Sequence, residues 1–144
     1  MSIKKNLFAL FLFVCIIQIS CSKDASNEDF SIVGKWNLNS NRIKTTPPNG
    51  SGIKPSDSTI VRSNSTIEFK SDGTYQSNDG TVSTNGYYQR AGNTIKSSAS
   101  ANFSNPQSST IETLTSNTMV LYSTTSQNVN GVVVPYETWL NLSR

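Results

Sequence analysis

The sequence predicts an all-β protein: an eight-stranded antiparallel up-and-down β-barrel behind a secretory signal and a short tether. Three observations carry that expectation. Apolar residues alternate with polar ones in short blocks, the period of half-buried strands. Turn-forming residues separate the blocks at short intervals, which suits sequential antiparallel pairing. No stretch beyond Cys21 keeps the 3.6-residue apolar period of an amphipathic helix.

The blocks run in order along the chain. Val33 to Leu38 puts Trp36 and Leu38 on one face. Thr66 to Lys70 alternates strictly, and Ser71-Asp72-Gly73 turns it into Thr74-Tyr75-Gln76. Asn78-Asp79-Gly80 is a second turn. Gly86 to Gln89 and Thr94 to Lys96 flank Ala91-Gly92-Asn93, which is hairpin chemistry. Thr110 to Leu114 turns at Thr115-Ser116-Asn117 into Thr118 to Tyr122, and Val132 to Leu142 closes the series. Eight such strands close into a barrel, which removes exposed sheet edges. Two stretches break the rhythm: a long first connection over 43–58, containing Pro47 to Gly52, and a Ser/Asn-rich loop over 97–109. Pro135 cannot donate to a ladder, so it belongs at a strand edge or bulge.

The first 21 residues read as an address. Lys4-Lys5 precedes an unbroken apolar run of eleven residues, Leu7 to Ile17. A spanning helix needs about 20 apolar residues, so the run fits a secretory signal instead. Ser20-Cys21 at its end resembles the bacterial lipobox, with Gln18 where an aliphatic residue is usual. The resemblance implies cleavage before Cys21 and acylation of that cysteine. Each buried methylene contributes about 0.8 kcal/mol, so two or three acyl chains anchor a protein durably. The domain plan is therefore 1–20 signal peptide, 21–29 acylated cysteine and polar tether, and 30–144 barrel. Eight residues of such a tether average about 16 Å end to end.

Composition excludes several functions. The chain of 144 residues suits one domain. It contains no histidine, so Ser-His-Asp and Cys-His catalysis and HExxH zinc sites are absent. Lys+Arg number 12 against Asp+Glu 9. Losing Lys4 and Lys5 with the signal leaves a nearly neutral domain without a basic cluster, so nucleic acid is not an expected partner. Beyond Cys21, about 28% of residues are hydrophobic and about 42% are Ser, Thr or Asn. Cys15 leaves with the signal and Cys21 is acylated, so no disulfide is expected.

Gly34-Lys35-Trp36 resembles the Gly-x-Trp of lipocalins. The series Ile67 to Tyr75, Gly86-Tyr87-Tyr88, Ile111 to Thr115 and Glu137 to Arg144 resembles the lipocalin-like lipoproteins of Bacteroidota. The resemblance covers most of residues 30–144. It implies that Trp36 plugs the closed end and that Arg144 lies over it, with Gly34 beside them as part of the closure. It also implies a ligand cavity whose open end is covered by the 43–58 connection. On alternation, the inward candidates for ligand contact are Leu38, Phe69, Tyr75, Tyr88, Leu121 and Tyr136.

Glu68, Glu112 and Glu137 are the only carboxylates placed to imitate a glycosidase pair. Glu68 and Glu112 sit between inward positions and should face water. Asp72-Gly73 and Asp79-Gly80 read as turns, not as metal ligands. The expected protein is a monomeric, non-enzymatic lipoprotein of the outer membrane, on its periplasmic or cell-surface face. It uses no cofactor and binds a small hydrophobic or amphipathic ligand. The alternative is an envelope interaction or structural module whose barrel is filled by its own side chains.

Overall fold

A computed structural model describes residues 30–144, so the signal segment 1–20, Cys21 and the tether to residue 29 lie outside the described residues. Nine strands follow one another: β1 Gly34–Thr45, β2 Ser56–Val61, β3 Thr66–Phe69, β4 Thr74–Asn78, β5 Ser83–Ala91, β6 Thr94–Ser98, β7 Gln107–Leu114, β8 Thr118–Val129 and β9 Val132–Ser143. Each pairs antiparallel with its neighbours, and β9 returns to β1 from Asn37↔Ser143 to Thr45↔Tyr136. The sheet is thereby closed.

Nine strands make an eight-stranded barrel because β2 and β3 share one place in the wall. β2 pairs with Ser40 to Thr45 of β1, and β3 pairs with Gly34 to Asn37 of the same strand. Residues 62–65 form a short excursion between them, opposite Leu38 and Asn39. The first half of β2 lies inside the stretch expected as a loop: the connection shrinks to 46–55, its first three residues joining β1 and its last three β2. Its period was hidden because every β2 residue is solvent-exposed. Arg42 holds it from β1 through a bidentate pair with Asp57, at 2.9 and 2.7 Å. The 97–109 loop contracts in the same way to 99–106 between β6 and β7.

Strand lengths make the wall lopsided. β1, β8 and β9 have 12 residues each, whereas β3, β4 and β6 have 4 or 5. At about 3.3 Å per residue, the strands of the tall side are roughly two and a half to three times as long as those of the short side. Two bulges reset the alternation, one between Leu38 and Ser40 and one between Ile111 and Thr113. Each inserts a residue, so Leu38 and Asn41 both face inward, as do Ile111 and Leu114. Pro135 is tolerated because its nitrogen shares a side with its carbonyl. That carbonyl accepts from Thr46 N at 3.3 Å, just past the last β1–β9 pair.

The core gathers toward one end. Trp36 and Met119 are fully buried and Leu142 is 1% exposed, with Ile32, Phe69, Ile95, Ile111 and Leu121 around them. Cross-strand register stacks these side chains in rows, with Leu38, Leu142, Met119 and Leu114 in one and Leu140, Leu121 and Ile111 in the next. Burying such side chains contributes about 1.5–3 kcal/mol each.

Candidate functional site

Trp36 and Arg144 build the closed end. The indole Nε1–H donates to Ile32 O at 2.8 Å. The Arg144 guanidinium carbon lies 4.2 Å from the indole ring centroid, within cation–π range. Its Nε, Nη1 and Nη2 donate to the carbonyls of Ser116, Val33 and Ser31 at 2.7, 3.0 and 3.2 Å. The Arg144 backbone N–H donates to Asn117 O at 3.1 Å, so the terminal residue is tied at both main chain and side chain. A Cβ at Gly34 would sit 3.3 Å from Arg144 Nη1. Glycine there keeps the guanidinium close to the ring.

Above this plug the barrel holds a cavity of about 340 Å³, lined from seven strands, β3 through β9. Its apolar part is formed by Ile67, Phe69, Tyr75, Ile95, Leu121 and Leu140. Its polar part is formed by Ser77, Thr84, Ser97 and Ser109. No lining side chain carries a charge. The Tyr75 ring reaches the cavity only because Gly86 lies opposite it: an added Cβ would approach Tyr75 Cε1 to 2.5 Å and Ser98 O to 2.7 Å.

Of the six residues singled out by alternation, Phe69, Tyr75 and Leu121 line the cavity and the other three do not. Leu38 faces inward but packs on the core at the level of Leu142. Tyr88 puts its ring edge-on to Phe69, at 5.0 Å and 75°, and donates its hydroxyl to Lys70 O at 2.8 Å. Tyr136 sits opposite Thr45 and Thr125, higher on the tall wall. Alternation gives the side of a strand and not the depth, and depth separates these groups. The 46–55 connection, which the resemblance places over the opening, contributes no lining residue. Its Pro47 is buried beside the end of β1.

Ile67, Ile95, Leu140 and the four hydroxyl residues escaped sequence reasoning. A signal existed: Ser77 lies two residues beyond Tyr75, Ser97 two beyond Ile95, and Ser109 two before Ile111. Equal parity puts them on the same face. They were lost among the many serines and threonines of the chain.

The glutamates stand outside the barrel. Glu68 pairs across from Lys35, Glu112 is the extra residue of the β7 bulge, and Glu137 meets Lys44 Nζ at 3.1 Å and the Tyr122 hydroxyl at 3.0 Å. Those bonds from Lys44 and Tyr122 hold the Glu137 carboxyl below its ordinary range, the opposite of what a general acid needs. Asp72 accepts from Thr74 N and Oγ1, and Asp79 accepts from Thr81 N, Thr81 Oγ1 and Val82 N. Both aspartates are engaged in their own turns. Among the described residues, no three His, Cys, Asp or Glu side chains converge as a metal site would require.

A family model described as a lipocalin-like domain matches residues 32–121. No curated protein matches the chain, and no solved structure does.

Proposed function

The chain belongs to the lipocalin-like domain family, and we propose on that footing that its barrel is a non-enzymatic carrier or receptor for a small apolar or amphipathic molecule. The cavity of about 340 Å³ above the Trp36 plug supports this reading most directly. It falls in the size range of small-molecule sites, which are mostly apolar with a few placed polar groups. A ligand buried against Phe69, Ile95, Leu121 and Leu140 gains about 25 cal/mol per Å² of apolar surface removed from water. A barrel filled by its own side chains, the alternative role as an interaction module, leaves no such space.

The protein acts at a membrane, anchored through acylated Cys21 in the outer envelope of the cell. Phe30 O accepts from Arg90 Nη1 at 2.8 Å, and Ile32 enters the core, so the chain enters the barrel at its closed end. The lipid anchor then joins the domain from the closed-end side.

Binding is tested with N-phenyl-1-naphthylamine, a neutral apolar probe whose fluorescence rises on burial. The protein should enhance it saturably, and Leu121→Trp, which fills the cavity, should weaken binding at least tenfold. Equal binding by the variant contradicts the assignment of the site. For the anchor, Cys21→Ala should move the protein from the membrane to the soluble fraction. Unchanged membrane attachment contradicts the lipidation.

A further inference from the structure

We infer that the cavity selects an uncharged amphiphile with a hydroxyl-bearing head over an ionised one of the same chain length. The inference rests on the binding role proposed above and names the ligand class. Two observations carry it.

The lining contains no Lys, Arg, Asp or Glu. The ion pairs Arg42–Asp57 and Lys44–Glu137 belong to residues on the outer faces of β1, β2 and β9. A carboxylate or ammonium entering the cavity would lose water and find no opposite charge, which is costly.

The second observation is the state of the lining hydroxyls. Ser77, Thr84, Ser97 and Ser109 line the cavity, and none of their hydroxyls bonds to another group among the described residues. Each free hydroxyl offers one donor and two acceptor positions, which suits a head that is itself donor and acceptor, as a polyol is. The four come from β4, β5, β6 and β7, which are consecutive strands of the barrel. The apolar lining residues come from β3, β8 and β9 and, beside the hydroxyls, from β4 and β6. The lining therefore mixes apolar surface with uncharged hydroxyls, and the ligand should too.

Calorimetric titration separates the possibilities. The probes are n-octyl glucoside, monooctanoyl glycerol and octanoate, below their micellar range. The protein is the full chain carrying Cys21→Ser, so that no acyl chain competes. One or both neutral amphiphiles should bind at least tenfold more tightly than octanoate. A preference between glucoside and glyceride identifies the head as sugar or glycerol. Ser97→Ala with Ser109→Ala should weaken the neutral probe by about tenfold and leave octanoate unchanged, as expected for lost hydrogen bonds. Octanoate binding as tightly as both neutral probes overturns this inference and leaves the ligand-binding role intact. Equal loss of all probes in the double serine variant, with its unfolding midpoint unchanged, also overturns it. If neither these probes nor N-phenyl-1-naphthylamine binds, the ligand-binding role itself falls.

Discussion

Arg144 makes three side-chain hydrogen bonds to carbonyls while covering the face of Trp36. Arg144→Ala removes them together and should lower stability by about 1–3 kcal/mol, measured as a lower urea midpoint. Arg144→Lys should recover only part of this, because an ammonium cannot reproduce the planar fork. Gly86 sets a different limit. With Tyr75 Cε1 only 2.5 Å from the place a Cβ would take, Gly86→Ala forces the ring or the backbone to move. Overpacking of this kind costs about 1–3 kcal/mol, and displacing Tyr75 should also weaken probe binding. At this scale Trp36 and Phe69 were legible because large apolar residues in an alternating block mark the interior. Ser97 and Ser109 were not, because a serine inside a strand looks like a serine anywhere.

Turns and strands respond on their own terms. The β4–β5 turn is organised by Asp79, whose carboxyl is held at about 2 against an ordinary 3.8 by backbone bonds from Val82 and Thr81 and by the Thr81 hydroxyl. The folded-state value lies below the unfolded one, so the ionised turn stabilises the fold above the ordinary carboxyl range. That contribution fades as pH falls through about 2. Thermal unfolding midpoints should therefore drop between about pH 4 and pH 2, and Asp79→Asn should flatten that acid limb. An equally steep limb in the variant contradicts this role. Replacing the 46–55 connection with a short turn should leave probe affinity unchanged, since none of its residues lines the cavity. The strands with alternating apolar residues, such as Thr66 to Phe69, were legible in advance. β2 was not, because its six exposed residues carry no inward signal and their pairing rests on main-chain bonds and the Arg42–Asp57 bridge. The bulges at Asn39 and Glu112 were equally hidden, and they decide which later residues face inward.

For the molecule as a whole, the fold followed from strand count and closure, two properties that local alternation and short turns express well. The cavity depends on where the core stops. Trp36, Met119 and Leu142 fill one end, and the space begins where small hydroxyl residues of β4 to β7 replace large apolar ones. That transition is a matter of depth and register, which a single strand's pattern does not contain. The central claim is that this space is a ligand site. Native mass spectrometry of the protein purified from its own cells tests it most directly. The account predicts a reproducible small-molecule adduct on the wild-type protein that disappears in Leu121→Trp. Bare wild-type protein under conditions that preserve non-covalent complexes would contradict it.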